Sequence, residues 1–148
     1  MVIQRVERAS VTIGGTLHSS IGAGIMVLVG VETGDTPDDM AFVAQKTASL
    51  RIFNDDDGVM NRSVAEVDGE ILAVSQFTLT ASTRKGNRPS YIRAARPDVA
   101  VPLYESYCDM LSRITGREVS RGVFGADMQV ELVNDGPVTI IIDSRLKE

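Results

Sequence analysis

Histidine and cysteine each occur once in this 148-residue chain, at His18 and Cys108. A lone cysteine excludes an internal disulfide and suits a reducing compartment. With one His and one Cys, the usual nitrogen and sulfur ligands of zinc cannot be assembled within the chain, and no metal is expected. A Ser-His-Asp triad would have to recruit His18, which follows the Gly14-Gly15 turn and reads as a solvated residue. No Gly-x-x-x-x-Gly-Lys-Ser/Thr loop is present, so P-loop phosphate chemistry is excluded, and there is no Gly-x-Ser-x-Gly elbow. Met1 is not followed by a basic-then-apolar leader, and no apolar run reaches the about 18 residues of a membrane span. Secretion and membrane insertion are not expected, and the expected location is cytoplasmic. An enzyme with this inventory lacks the usual side chains for general-base work near neutral pH. It would rely on oriented backbone dipoles, on a hydroxyl, or on groups of its own substrate, and no cofactor is expected.

What remains is the composition of one ordinary globular domain spanning 1–148, with 43% hydrophobic and 24% charged residues. The net charge of −5 argues against non-specific coating of nucleic acid. The basic residues are nevertheless clustered. RKGNRPSYIRAAR (84–96) holds Arg84, Lys85, Arg88, Arg93 and Arg96 and no acid. That stretch is either a solvated loop or a local phosphate-binding patch.

Periodicity outlines the elements. MVIQRVERASVTI is β-rich and turns at Gly14-Gly15, and the apolar run GIMVLVGV (24–31) reads as a central strand. Thr36 followed by Pro37 marks a helix start, and Met40, Val43, Thr47 and Leu50 repeat at helical spacing, predicting a helix over 37–50. NDDDG (54–58) is a turn. Its calcium-loop reading fails because Gly58 at loop position six puts Phe53 and Val64 at the ligating ends. EILAVSQFTLT (70–80) reads as a strand, and Ala100, Leu103, Tyr107, Met110 and Ile114 give a second helix ending near Gly116. MQVELV (128–133) and VTIIID (138–143) are two further strands separated by Asn134-Asp135-Gly136-Pro137. The sum is an α+β fold: about seven strands in a compact, mostly antiparallel, barrel-like sheet with two helices packed on it.

The corner before Val138 is the unusual feature. Pro137 cannot donate to a ladder, so it belongs at the first residue of a strand, on an edge or at a bulge. Gly-Pro there is either a tight turn or a rigid pair of carbonyls available for chemistry.

Several segments occur together in order: IQRVERASVTI (3–13), SQFTL (75–79), KGNRPSY (85–91), and FGADMQVELVNDGPVT from Phe124 onward. As a set, covering essentially the whole chain, they resemble the D-aminoacyl-tRNA deacylases, first described as D-tyrosyl-tRNA deacylases. Tyr91 stands where many relatives carry Phe, a mild departure. The resemblance implies hydrolysis of the ester that joins a D-amino acid to the 3′-terminal ribose of tRNA. It implies homodimers whose sites form at the subunit interface, and a cis Gly136-Pro137 bond whose two carbonyls enter the partner's pocket. Aminoacylated tRNA is the expected partner, met at its 3′-terminal adenosine and acceptor stem, with no membrane and no DNA involved.

Carried over residue by residue, Ser75, Gln76, Phe77 and Thr78 would line the pocket opposite Gly136 and Pro137. Backbone N–H groups near Phe77 and Thr78 would polarise the scissile carbonyl. Asn134 opens the corner motif, and Arg5 would brace it with a fixed guanidinium fork. Lys85, Arg88 and Pro89 belong to the loop that would steer the acceptor stem. Phe124 and Met128 pack either against the terminal adenine or in the core. The preferred chemistry is water attack assisted by the 2′-hydroxyl of the terminal adenosine. Glycyl-tRNA formed on the alanine-specific tRNA is expected to be cleaved too, because glycine has no side chain to reject. Two alternatives stay open: Thr78 as the nucleophile of an ordinary esterase, and a nucleic-acid-binding module without catalysis. The tail SRLKE (144–148) matches no motif.

Overall fold

The computed structural model describes residues 1–147. Its spine is β1 (Val2–Ile13), which turns through Gly14-Gly15 into β2 (Thr16–Ile21) and runs on as β3 (Gly24–Val29). β2 pairs with the second half of β1 and β3 with the first half, both antiparallel. The last long strand, β8 (Gln129–Ile141), pairs antiparallel with β1 along nearly its whole length. β8 therefore occupies the opposite edge of β1, and its own outer edge has no strand partner among the described residues.

On the other flank, β3 pairs with β6 (Glu70–Ser75), and β6 with the short β7 (Ser120–Arg121). Both pairings are parallel. The sheet is thus mixed, where hairpin-like connections had suggested a mostly antiparallel one. The physical reason is connection length: parallel neighbours need a crossover of a dozen or more residues, usually a helix. Here α1 (Pro37–Ser49) lies between β3 and β6, and α2 (Pro97–Thr115) lies between β6 and β7. The remaining strands, β4 (Phe53–Asn54) and β5 (Met60–Arg62), form a separate small hairpin around the Asp55 turn. The main sheet curls until β2 meets β7, where Ser19 Oγ donates to Arg121 O at 2.9 Å, giving a nearly closed mixed sheet.

The central strands are buried on both faces, as parallel strands are. Ile25, Val27, Val29, Ile71 and Ala73 pack beneath the helices. Met26, Leu72 and Val74 fill the inside of the curl with Val6, Ala9 and Val11. Gly24 allows this closeness: a Cβ there would lie 1.8 Å from the Glu70 carbonyl oxygen. α1 begins with the expected Thr36 cap, whose hydroxyl accepts from Asp39 N while Asp39 Oδ2 accepts from Thr36 N at 2.9 Å. The helices touch through a buried hydroxyl pair, Thr47 Oγ1 and Tyr107 OH, 3.0 Å apart. Among the described residues no helix is long and apolar enough to cross a membrane.

Candidate active site

β6 ends at Ser75, not at residue 80 as the alternation of 70–80 had suggested. Gln76 N still donates to Val29 O at 2.8 Å, and then the chain turns into a 3-10 helix, Phe77–Thr80. Local hydrogen bonds outcompete the strand here. Leu79 N donates to Gln76 O, Ala81 N to Thr78 O, and Thr80 Oγ1 to Phe77 O at 2.8 Å. The turn's own bonds begin at Leu79 N, so the amides of Phe77 and Thr78 precede them without a partner inside the turn. Gln76 Nε2 donates to Thr78 Oγ1. The segment sits at the carboxyl ends of the parallel strands β3 and β6, the end of such strands where ligands bind.

An exposed Phe77 ring meets Tyr91 edge to face, with centroids 5.1 Å apart. This places the basic segment beside the turn. Ser82 and Ser90 exchange two backbone hydrogen bonds of 2.9 Å, and the residues between them form an exposed loop carrying Arg84, Lys85, Arg88 and Pro89. Arg93 differs from them. Its Nε and Nη2 donate to Thr80 O at 3.1 and 3.0 Å.

The Gly-Pro corner does not open a strand. β8 runs through it, and Pro137 sits at a bulge, another of the positions open to proline. Gln4 faces Thr139 and Val6 faces Asn134, so two steps along β1 are matched by five along β8. The extra residues push outward, and Asn134, Asp135, Gly136 and Pro137 are all exposed. The Gly136-Pro137 bond is cis. Gly136 has φ +129, and a Cβ there would meet Val138 N at 3.0 Å and Arg5 Nη2 at 3.2 Å, so only glycine fits. Arg5, 8% exposed, donates through Nε to Asp135 O at 3.0 Å and through Nη1 to Ile52 O at 2.7 Å. Its Nε also lies 3.5 Å from Asp135 Oδ2. Within one chain the corner and the Phe77–Thr80 turn are not neighbours, because β1 and β3 lie between β8 and β6.

Phe124 and Met128 are half-buried. Phe124 packs against the helix-side core with its ring 6.3 Å from Tyr104, and Met128 packs against the inner core. Gly122 N donates to Ala73 O at 3.0 Å, so their segment runs beside the end of β6.

Ionisable groups are sparse. The 75–80 segment carries none. The strongly shifted groups lie in the core instead. Burial raises the Tyr104 and Tyr107 phenols and pushes the Cys108 thiol up to about 11. No cluster of metal-ligating side chains occurs among the described residues.

Sequence patterns gave no sign of Arg145. Its Nη1 donates to Glu32 Oε2 at 3.1 Å, and its Nη2 to Asp35 Oδ1 and Thr33 O, both at 2.8 Å. The last residue of the tail, Glu148, lies outside the described residues. A cavity of about 320 Å³ adjoins this network, lined by Leu79, Thr80, Glu32, Asp35 and Ile141 among others.

A family profile described as "D-Tyr-tRNA(Tyr) deacylase" matches residues 2–143. A protein named "D-aminoacyl-tRNA deacylase" from Porphyromonas gingivalis is 61% identical over 148 residues, covering 100% of this chain and 99% of that one. Its namesake from Parabacteroides distasonis is 59% identical over 147 residues, covering 99% and 98%. Among solved structures, one named "c-Myc DNA Unwinding Element Binding Protein" superposes with a TM-score of 0.88 at 43% identity, over 94% of each chain. Another, named "Structural Analysis of a probable eukaryotic D-amino acid tRNA deacylase", reaches 0.80 at 17% identity over 94% and 95%, a likeness of fold alone. By profile and by relatives of this identity over their full length, the chain belongs to the D-Tyr-tRNA(Tyr) deacylase family.

Proposed function

We propose that this protein hydrolyses the ester bond of D-aminoacyl-tRNA, releasing the free D-amino acid and the intact tRNA. Water attacks the ester carbonyl, and the bond to the 3′-oxygen of the terminal ribose breaks. The amides of Phe77 and Thr78 stabilise the oxyanion. The 2′-hydroxyl of the same ribose relays a proton from the attacking water to the departing 3′-oxygen, the task a histidine performs in other hydrolases. The observation that carries this reading is the surroundings of Thr78. The hydrogen bond found at its hydroxyl comes from the Gln76 carboxamide, which cannot accept a proton. A nucleophilic threonine would need an adjacent base.

Handedness is sorted by the Gly136-Pro137 corner, projecting into the pocket of a second copy. An L-residue would place its side chain where a D-residue places hydrogen, and would meet the two carbonyls. Rejection by crowding needs no contact with the D side chain, so many D-residues are accepted. Glycyl-tRNA, including glycine mischarged on the alanine-specific tRNA, passes the same filter. The exposed corner and the open outer edge of β8 support a site completed in a homodimer. Ser75 and Gln76 wall the pocket with Phe124 and Met128, Asn134 shapes the corner, and Lys85, Arg88 and Pro89 meet the acceptor stem.

A second reading, a nucleic-acid-binding module without catalysis, draws on the name of the 43% identical structure. D-tyrosyl-tRNA and L-tyrosyl-tRNA, each with wild type and Thr78→Ala, separate the possibilities. Rapid loss of the D-ester alone, with most activity kept in Thr78→Ala, is the expected result. Abolished turnover in that variant would restore the threonine nucleophile. Equal turnover of both enantiomers would defeat the filter, and turnover of neither would favour the binding module.

A further inference from the structure

The five basic residues of 84–96 divide into three groups. Arg84, Lys85 and Arg88 stand on the exposed loop, where solvent and phosphate reach them freely. Arg96 pairs with Asp98 at 3.6 Å. Arg93 is built into the frame. Thr33 N donates to Arg93 O at 2.9 Å and Ala95 N to Val31 O at 3.0 Å, so its backbone is pinned beside the chain that leaves β3. Its guanidinium then has a fixed starting point. Nε and Nη2 share Thr80 O, and Nη2 reaches Ala81 O at 3.4 Å.

Behind this fork stands a second shared group. Glu32 Oε1 lies 3.6 Å from Arg93 Nε, while Glu32 Oε2 accepts from Arg145 at 3.1 Å. Arg145 is held in turn by Asp35, whose other oxygen accepts from Glu32 N at 2.7 Å. The carboxylate is therefore clamped between two arginines and cannot swing freely. Thr80 closes the same 3-10 turn whose first amides belong to Phe77 and Thr78. A turn this short has little stiffness of its own, because its hydrogen bonds are few and poorly aligned.

We infer that Arg93, steadied by Glu32, is a positioning residue: it fixes the C-terminal end of the Phe77–Thr80 turn and thereby the direction of the Phe77 and Thr78 amides. This rests on the proposed site and adds a group to it. It predicts that Arg93 and the loop basics, alike in charge and close in sequence, fail differently when removed.

Initial rates on D-tyrosyl-tRNA across substrate and salt concentration supply the test. Arg93→Ala is expected to lower kcat about tenfold or more, because misplacing donors by a fraction of an ångström is that costly, with KM changed less than about twofold. Arg93→Lys keeps the charge and loses the fork, and should stay at least about threefold below wild type in kcat. Glu32→Gln should lower kcat in the same direction by less. Arg88→Ala should instead raise KM and reduce the salt slope by about 1. Thermal unfolding checks that each variant folds, and Arg93→Lys and Glu32→Gln carry the test if Arg93→Ala does not. Wild-type kcat in both of those variants, or a raised KM with a shallower salt slope for Arg93→Ala, overturns the inference and makes Arg93 another phosphate contact. Wild-type turnover of D-tyrosyl-tRNA and L-tyrosyl-tRNA in the same assay separates the two claims. D-selective turnover beside unaffected Arg93 variants sinks the brace alone, whereas no D-selective turnover by wild type removes the site and the brace together.

Discussion

Removing the Arg5 side chain should cost stability and handedness together. Arg5→Ala deletes a donor to two backbone carbonyls, Ile52 O at 2.7 Å and Asp135 O at 3.0 Å. The two losses differ in kind. The bond to Ile52 is buried, so its carbonyl is left without a partner, at about 1.5–3 kcal/mol for a bond from a charged donor. Asp135 is exposed, so its carbonyl regains water, and its carboxylate, 3.5 Å away and 53% exposed, contributes well under about 1 kcal/mol. The expected total is about 2–4 kcal/mol, or about 6–12 °C in Tm for a chain of this length. Urea unfolding at one fixed protein concentration measures it, since association would otherwise shift the midpoint. The same variant frees Asp135 and the glycine behind it, so the D-over-L ratio of kcat/KM should fall even where folded protein persists. Arg5→Lys can reach one carbonyl and should fall between. An Arg5→Ala protein within about 0.5 kcal/mol of wild type would refute the energetic argument. A destabilised protein with an undiminished D-over-L ratio would refute the link between Arg5 and the corner.

Thr36→Ala should cost about 1 kcal/mol by uncapping α1, read by urea unfolding. The Thr36 hydroxyl, then its backbone N–H, hold the Asp39 carboxyl below its usual range. A depressed carboxylate adds stability above its unfolded pKa and loses it as pH falls through the folded one, so Thr36→Ala should flatten the acid limb of the stability curve. Cys108 is fully buried, and its thiol, pushed up to about 11 by burial, stays protonated at pH 8. A disulfide reagent should therefore modify it at the rate of unfolding, and rapid labelling of native protein would contradict that. Gly24→Ala should abolish stable folding, because its Cβ would sit 1.8 Å from backbone oxygen of Glu70, and a soluble variant with wild-type Tm would show the β3–β6 approach to be wrong.

The helices were legible because their signals are local. Thr36, Pro37 and the apolar spacing of 40–50 need no knowledge of the rest of the chain, and the same holds from Ala100 to Gly116. Strand direction was not legible, because it depends on where a crossover returns. The two helices were found, yet their role as the crossovers that make β3, β6 and β7 parallel is a property of the whole sheet. SQFTL misled for a related reason: its alternation continues that of β6, while a threonine hydroxyl on Phe77 O and the Gln76 carbonyl redirect the chain. Pro137 was expected between two strands and lies instead at a bulge within one, since Asn134 and Thr139 rejoin one continuous ladder on β1. Arg93 and Arg145 carry no pattern of their own, and only tertiary contact distinguishes them from neighbouring surface charges.

The separation of the corner from the turn bears on how the site can be assembled. Arg5 is paired with Ile25 and Ile25 with Ile71, so the corner beside Arg5 lies three strand spacings from β6. At roughly 4.8 Å per spacing that is about 14 Å across the sheet. Ser75 lies four residues farther along β6 than Ile71, another about 13 Å. Curling of the sheet shortens the first distance and leaves the second. A carbonyl reaches about 3 Å to a donor, so the oxygens of Gly136 and its neighbour cannot act on an ester held by the Phe77 and Thr78 amides of their own chain. If both segments serve one reaction, the corner must come from another copy. Dilution then becomes a probe of mechanism. Well below the dissociation constant the total rate should fall with the square of protein concentration, and the rate per chain linearly with it. Constant specific activity in a monomer verified by light scattering would mean that a single chain hydrolyses the ester without the corner.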